Sequence, residues 1–414
     1  MQFNLASRDR KYQAPPRIAR LAKTLLAIGG LTLCVGLLAA PRQTWGNVLV
    51  LSHYLLGLAL GGLFLIALQY VTGAGWGVAL RRLPEALADL LPVGGVGVLA
   101  VLLLYPALYS WTVSAADGHL AADGFKQLWL SRPFFLLRAI VYLASWLLFA
   151  RAMVRLSVRQ DGDGSIRHTF TSRRLSAALL VVFAATCWLA SVDWIMSLEP
   201  EWASTVFGVY QFSGIFLSGL AAITVLAVCL ERQGALAGII SPDHLHDLGK
   251  LLFSFSSFWM YIWFSQYMLI WYVNNPEETT YFIRRSHGGW QALFYLNLSL
   301  NWIIPFLALL PRSAKQSPRV LLVVALTILA GRWVDLHLMI LPPLAARPLT
   351  GLGLLELGLA AGALGACLSI VPRALAKRSL LPFNDPFLVE SLPHHPAATR
   401  TAIVFSGIEP RPAG

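Results

Sequence analysis

The chain has 414 residues, of which 57% are hydrophobic and 13% charged, and its formal net charge is +12 at pH 7. A mean hydropathy of +0.64 excludes an ordinary soluble domain, because no soluble core could bury so many apolar runs of membrane-spanning length. These runs are continuous and lack the alternation of barrel strands. The sequence therefore predicts an all-α polytopic membrane protein.

We predict about ten transmembrane helices. Tryptophans mark several of their ends, as expected at a membrane interface: Trp45 and Trp76 flank the second span, and Trp290 opens the eighth. The first apolar run is of spanning length and lacks a clear cleavage site, so we expect no cleavable signal peptide. The predicted spans are 21–40, 48–71, 86–108, 133–154, 176–197, 204–230, 248–273, 289–311, 318–341 and 350–372.

Lys and Arg are distributed unevenly over the connections between the spans. If the N-terminus is cytoplasmic, most of these cations lie in inner segments, as the positive-inside rule requires. The sequence thus predicts a cytoplasmic N-terminal segment (1–20) and tail (373–414) around a transmembrane domain (21–372). Topology and contact with anionic lipid explain the +12 charge, so nucleic-acid binding is not needed. The outer connections hold Arg42, Lys126, Arg132, Arg284, Arg285 and Arg347.

The connections outside the membrane are small. We predict polar, turn-rich loops at 109–132 and 155–173, with the first outside and the second inside, and place 274–288 outside. The tail after Pro382 is rich in proline and predicted to be irregular. No connection is large enough to form a catalytic domain.

Candidate cofactor ligands are few. The four cysteines lie inside predicted spans without CxxC spacing, and the two histidines within spans lack partners at haem-ligand spacing, so we expect no metal and no cofactor on this chain. A cluster of Asp and His in a predicted inner loop fits the start of a helix better than a metal site. That cluster is Asp243, His244, His246 and Asp247.

Three charged or titratable residues are predicted to share one depth near the outer face. Arg138 lies roughly 8 Å below the outer boundary at 1.5 Å per residue, and Asp193 and His53 reach a similar level on neighbouring spans. A charge in hydrocarbon costs about 2.5 to 3.5 kcal/mol, so we expect Arg138 and Asp193 to pair, with His53 close to them. Two interpretations remain open: a structural ion pair, or a site for protons or a quinol headgroup.

A second set of charged residues lies on the last two spans. Arg332 and Asp335 are three residues apart and share a helix face, so they can pair locally. His337 points elsewhere, and Glu356 enters from the tenth span at a comparable outer depth. These four residues are candidates for a proton pathway.

Polar residues also recur on the seventh span at helical spacing, which places them on one stripe. Aligned hydroxyls can hold a chain of water molecules that conducts protons. Small serines can equally serve close helix packing and bond back to their own helix. The stripe consists of Lys250, Ser254, Ser257, Tyr261, Ser265 and Tyr272.

Several motifs resemble those of the ActF-type membrane subunit of bacterial alternative complex III, within the NrfD-like superfamily. Matching segments run from about Gly57 to Pro342 and cover most of the membrane region. The segments are SVDWIMSLEPEW at 191–202, STVFG at 204–208, FSQY at 264–267, IWY at 270–272, NPEE at 275–278 and GRWVD at 331–335.

This resemblance implies two four-helix bundles, at about 48–197 and 204–341, with the first and last helices peripheral. It implies a bacterial inner-membrane complex that oxidises quinol and passes electrons through iron–sulfur and haem c subunits to a cytochrome or a terminal oxidase. The partners would include a homologous NrfD-like quinol subunit, while this chain contributes scaffold and a proton pathway.

Two other functions remain open from the sequence. One is a quinol-binding NrfD-like subunit of a molybdenum or iron–sulfur enzyme. The other is a proton-coupled secondary transporter, which broken helices at corresponding positions in the two halves would favour. The seventh and ninth spans are predicted to be unbroken, which disfavours a transporter.

Overall fold

The computed structural model describes residues 12–116, 124–344 and 352–392. Within these residues the chain forms helices and no β-strand, and nine helices are long and apolar enough to cross a membrane. The all-α polytopic fold is thus confirmed. The long helices are α1 (Pro16–Ala39), α2 (Pro41–Thr72), α3 (Arg82–Leu104), α4 (Arg132–Asp163), α5 (Ile166–Trp194), α6 (Phe207–Arg232), α7 (Pro242–Val273), α8 (Gly288–Ala308), α9 (Pro318–Ile340) and α10 (Leu354–Ala376).

Helix α7 has 32 residues and is long enough to span, but it is not one of the nine. Its aromatic and hydroxyl side chains lower its hydropathy below that of the other long helices. Short helices lie in the connections between the long ones and in the tail. They include Gly75–Leu80, Ser110–Ala116, Gly124–Trp129, Pro276–Ser286 and Arg312–Gln316 in connections and Leu388–Ser391 in the tail.

The long helices form two four-helix bundles. Helices α2 to α5 pack together in the first bundle, and α6 to α9 pack together in the second. The bundles meet where α2 crosses α6, and these two central helices are the most deeply buried, with 78% of the spanning window of each inside the protein. Helices α1 and α10 pack on each other at the periphery, where only 17% and 22% are buried.

Several helices extend beyond their apolar runs. The predicted polar loop at 155–173 is wrong: α4 continues to Asp163, a single turn with Gly164 at φ +66° reverses the chain, and α5 begins at Ile166. The 109–132 connection also contains helices on either side of residues 117–123, which lie outside the described residues. Hydropathy detects where a helix leaves hydrocarbon, whereas α4 itself ends where Gly164 supplies the left-handed conformation.

Helix α8 is interrupted in its middle. Residues Ser299–Ile303 form a π-helical turn directly before Pro305. Proline has no N–H, so the carbonyl oxygen of Asn301, four residues earlier, loses its helical donor. Ser256 on α7 replaces it, with its hydroxyl 2.6 Å from that oxygen. The break in α8 is therefore satisfied by a neighbouring helix and turns Asn301 into the bundle.

The backbones of the two bundles are in contact at a pair of glycines. A Cβ on Gly61 of α2 would lie 2.5 Å from the carbonyl oxygen of Ile215 and 2.9 Å from the Cα of Gly219 on α6. Gly219 has the same relation to Gly61 from the other side. Small residues at such a crossing allow backbones to touch, which is how helices gain packing energy in a membrane.

We expect Gly61→Ala to destabilise the protein by about 1 to 3 kcal/mol, because the added methyl forces the two central helices apart. Gly30→Ala on α1 is the matched control, since a Cβ there meets no atom within 4 Å. The control should be neutral or slightly stabilising, as alanine favours helix over glycine. Thermal unfolding of both purified variants in detergent measures the difference. Equal melting temperatures would show that the crossing is loose.

Candidate functional site

The predicted pair of Arg138 and Asp193 is confirmed. The guanidinium Nε and Nη2 of Arg138 lie 2.8 and 2.9 Å from the two carboxylate oxygens of Asp193. Trp129 Nε1 and the Tyr142 hydroxyl donate to the same carboxylate at 2.9 and 3.0 Å. Arg138 also donates to the Trp129 carbonyl and lies 3.9 Å above the Trp129 ring. Both carboxylate oxygens of Asp193 and all three guanidinium nitrogens of Arg138 have hydrogen-bond partners, which favours a structural role over proton transfer.

His53 lies near this pair without touching it. Its ring packs edge-on against Trp194, with 5.6 Å between ring centres, and Trp194 in turn contacts Tyr142. His53 Nδ1 lies 2.9 Å from the carbonyl oxygen of Leu49, so in the neutral ring this nitrogen carries the proton. The other nitrogen, Nε2, is then an acceptor. It is buried and has no partner within the described residues.

Arg332 and Asp335 also pair, at 2.6 Å between Nη1 and Oδ2. Asn297 Nδ2 donates to Asp335 at 3.1 Å, and the Tyr210 hydroxyl donates to the same carboxylate. Arg332 Nη2 lies 2.5 Å from the side-chain oxygen of Gln211. The pair therefore joins α9 to α6 and α8. In contrast to Arg138, Arg332 keeps one buried nitrogen, Nε, without a partner among the described residues.

Glu356 and His337 do not join that pair. Glu356 accepts from Gln43 at 2.7 Å, from Asn47 at 3.2 Å and from the Gly353 backbone at 2.9 Å, so it caps the start of α10. His337 Nε2 lies 3.1 Å from the Asn47 side-chain oxygen. The prediction that His337 points away from Arg332 and Asp335 is confirmed. Glu356 belongs instead to a third cluster, between α2, α9 and α10.

A small cavity lies in the seam between the bundles. It has a volume of about 30 Å³ and is lined by His53 and Trp194 from the first bundle and by Gln211 and Arg332 from the second. Such a volume holds one water molecule and is several times smaller than a quinol ring. Three of the residues that line it carry buried nitrogens without partners in the described structure: His53, Trp194 and Arg332.

A second cavity continues from Asp335 towards the end of the bundle. It has a volume of about 20 Å³ and is lined by Asp335, Gln266, Tyr281 and Arg285. Arg285 Nη2 reaches Glu199 at 2.5 Å, at the edge of an open surface cleft. Burial raises the pKa of Tyr281 to about 12, so its hydroxyl stays protonated at neutral pH. Polar groups thus follow one another from the seam to the surface.

The stripe on α7 lies on the outer face of the helix, away from the protein interior, so the described structure does not support the conduit interpretation for a path inside this chain. Ser254 is exposed, and Tyr261 and Tyr272 are 65% and 80% exposed. The hydroxyls of Ser257 and Ser265 bond to carbonyls of their own helix. The residues of α7 that face inward are Ser256, Trp259, Trp263 and Gln266. Lys250 pairs with Asp247 at the exposed end of the helix.

The Asp and His cluster that opens α7 is a helix start, as predicted. The Ser241 hydroxyl accepts from the His244 backbone at 3.3 Å, and the His244 ring accepts from the Ser241 backbone, which forms a capping box. Within the described residues, no group of three or more His, Cys, Asp or Glu is placed to hold a metal ion.

Several residues that hydrogen-bond to the buried ion pairs were not predicted from the sequence, because their side chains are neutral. Gln211, Tyr210 and Asn297 surround the second pair, and Trp129 and Tyr142 surround the first. Amide side chains inside apolar spans are a signal in themselves, since hydrocarbon offers them no partner.

Ion pairs at the loop ends were also missed. Arg285 and Glu199 pair at one end of the fold, and at the other end Arg81 pairs with Asp385 in the tail. Arg82 pairs with Glu85 and Asp161. Adjacent arginines in a short connection predict topology, but their partners are distant in sequence.

No protein-family model and no curated protein matches the chain. The resemblance to ActF-type subunits therefore rests on the motifs given above. Residues of those motifs take part in the buried polar sites: Asp193 pairs with Arg138, Glu199 pairs with Arg285, and Gln266 and Asp335 line the second cavity.

We expect Asp193→Asn to cost about 3 to 5 kcal/mol of stability, because Arg138 is left buried without its counter-charge. The double variant Arg138→Gln with Asp193→Asn should cost less than the sum of the single changes. Asp163→Asn is the control, since the Asp163 carboxylate is exposed and solvent screens its pair with His168. Denaturation of the purified variants gives the coupling energy. Strict additivity would mean that the two side chains act independently.

Proposed function

We propose that this chain is an integral subunit of a quinol:electron-acceptor oxidoreductase complex of the ActF type, without redox chemistry of its own. Partner subunits, including a homologous NrfD-like quinol subunit, would hold the quinol, haem c and iron–sulfur clusters. Two findings support the proposal: the two-bundle architecture that the motifs imply, and the convergence of motif residues on the buried polar groups.

We further propose that the chain carries a proton route from the seam to the surface cleft at Glu199. The observation that carries this proposal is the sequence of polar sites described above: His53, the seam cavity, Arg332 with Asp335, the second cavity, and Arg285 with Glu199. Each cavity is large enough for a water molecule, and polar groups line both. Intramembrane ionisable residues arranged in this way serve proton relays in other membrane proteins.

Two features separate this route from a closed structural core. His53, with an unpartnered acceptor nitrogen, and Arg332, with an unpartnered N–H group, both line the seam cavity, so a water molecule there would have an acceptor and a donor beside it. In the Arg138 pair, by comparison, every guanidinium nitrogen already has a hydrogen-bond partner. We therefore assign the Arg138 pair to stability and the Arg332 pair to the route.

The positions of the helix breaks disfavour a transporter. Helix α3 is interrupted by a 3₁₀ turn at Ala88–Leu90, and α8 by its π-helical turn. The first is the second helix of its bundle and the other is the third, so the breaks do not correspond in order. Alternating-access transporters place broken helices at equivalent positions of two repeats.

We propose that both termini and residue 165 are cytoplasmic in a bacterial inner membrane, with 109–132 and 274–288 outside. In a Cys34→Ala background, an impermeant thiol reagent on intact cells should label Thr280→Cys and spare Ser165→Cys. Permeabilised cells should label both. Labelling of Ser165→Cys on intact cells would show that the topology is the reverse of the one proposed.

We expect His53→Gln and Gln266→Leu to lower the number of protons released per electron, while uncoupled quinol oxidation by the intact complex continues. The reason is that His53→Gln replaces the imidazole by an amide that cannot take up and release a proton, and Gln266→Leu removes a polar side chain from the second cavity. Neither change touches a redox group. The control is Ser254→Ala with Ser257→Ala, on the outer face of α7, which should leave the ratio unchanged. The measurement is proton release from reconstituted vesicles during quinol oxidation.

The outcomes separate the two parts of the proposal. A full proton ratio in His53→Gln and Gln266→Leu contradicts the route but not the subunit assignment. A purified protein that carries no haem or iron–sulfur partners contradicts the assignment itself.

A further inference from the structure

A basic cavity lies between α4, α10 and the start of α3, away from the three polar clusters. Its volume is about 520 Å³. Helix α4 contributes Arg151 and Arg155, α10 contributes Arg373, and Lys377 and Arg378 follow directly after the end of α10. One carboxylate, Asp89, also lines the cavity. Five cations thus face a single space together with one anion.

Most of this positive charge is not neutralised by the protein. Arg378 lies 3.4 Å from Asp89 and also donates to the Glu85 carbonyl. The other four cations form no ion pair within 12–116, 124–344 and 352–392. All four are exposed to the cavity and its surroundings. Unpaired cations this close repel each other, so an anion that enters the cavity relieves the repulsion.

The walls of the cavity change from apolar to basic along both helices. On α4 the lining begins at Leu147 and ends at Arg155. On the other wall it begins at Ile370 of α10 and ends at Arg378, just beyond that helix. The lining residues recur every three or four positions, so each set forms one continuous stripe. The two helices run in the same direction, and the apolar part lies on the same side of each stripe. This profile matches a lipid, which has acyl chains next to a charged headgroup.

Depth places the cations at the membrane interface. Arg151 is the nineteenth residue after Arg132, the first of α4, and Arg373 is the nineteenth after Leu354, the first of α10. Nineteen residues of helix rise roughly 28 Å, close to the thickness of the hydrocarbon core. Both arginines therefore lie about one membrane thickness from the opposite end of their helices, at the level of the headgroups.

We propose that this cavity is a binding site for the phosphate groups of an anionic phospholipid. Arg151 and Arg155 on one wall face Arg373 and Lys377 on the other, so the site has two pairs of cations for two phosphates. A diphosphatidyl lipid satisfies both pairs with one molecule, whereas a lipid with a single phosphate satisfies one. Guanidinium groups suit phosphate because they offer two parallel N–H donors. Basic pockets between transmembrane helices bind such headgroups in other membrane proteins.

The test is lipid binding by the full-length protein, in the assembly in which it purifies, after delipidation in neutral detergent. Native mass spectrometry with added diphosphatidylglycerol, phosphatidylglycerol or phosphatidylcholine measures retained lipid. We expect diphosphatidylglycerol to bind at least tenfold more tightly than phosphatidylcholine. Arg151→Gln with Arg373→Gln should remove at least tenfold of that preference. Arg151→Lys with Arg373→Lys, which keeps the charge, should retain most of it.

A matched control removes two other cations from the same end of the fold. Arg173→Gln with Arg174→Gln makes the same change in charge at exposed positions of α5 that do not line the cavity. This control should bind lipid as the unchanged protein does. An equal loss of lipid preference in both double variants would overturn the site, because the lipid would then be held by diffuse surface charge. Full displacement of the lipid by millimolar inorganic phosphate would overturn it in favour of a soluble anion.

Discussion

The burial of two carboxylates, Asp193 and Asp335, determines how the helices of this protein are arranged. An ionised carboxylate in a low-dielectric interior costs several kcal/mol unless donors surround it, and hydrocarbon supplies none. Each bundle solves the problem in the same way, with one arginine and two neutral donors from neighbouring helices around each carboxylate. The packing of α4 on α5, and of α6 and α8 on α9, follows from the positions of these two residues.

The two solutions differ in completeness, and the difference bears on function. The carboxylate of Asp193 receives four hydrogen bonds, and all three guanidinium nitrogens of Arg138 have partners, so the first pair fixes a bundle. Around Asp335 and Arg332 the structure leaves one unpartnered nitrogen and a small cavity on each side. A membrane protein that needed only stability could close both sites in the same way. The open one therefore supports a role that requires water.

Much of the fold could be predicted from the sequence, because hydrocarbon imposes a strong and local signal. Ten runs of about the right length gave ten long helices, and depth along the helices was enough to pair Arg138 with Asp193. Helix ends were predicted less well. Helix α4 passes beyond its apolar run to Asp163, since the turn depends on Gly164 and not on hydropathy.

The site was harder to predict than the fold. Periodicity showed that Ser254, Ser257 and Tyr261 share a face of α7, but it could not show whether that face points inward. The answer depends on how α7 packs against α6 and α8, which is a property of distant residues. The same limit hid Gln211 and Asn297, whose importance lies in the arginine and aspartate that they contact. Charged residues in the sequence identified the helices that form the sites, whereas the neutral residues that complete these sites could not be recognised in it.

The contacts at one end of the fold bear on topology independently of hydropathy. Arg82 contacts Asp161, Arg81 contacts Asp385 in the tail, and Ser391 lies 3.2 Å from His244. Three connections and the tail must therefore lie on one side of the membrane. An even number of crossings separates any two of them, which requires α7 to cross although its composition is the least apolar. Helix α7 must cross because the His244–Ser391 hydrogen bond at its start lies at the same end of the fold as the ion pairs of Arg81 and Arg82. Its hydroxyl-bearing face is then an exposed surface within the membrane region.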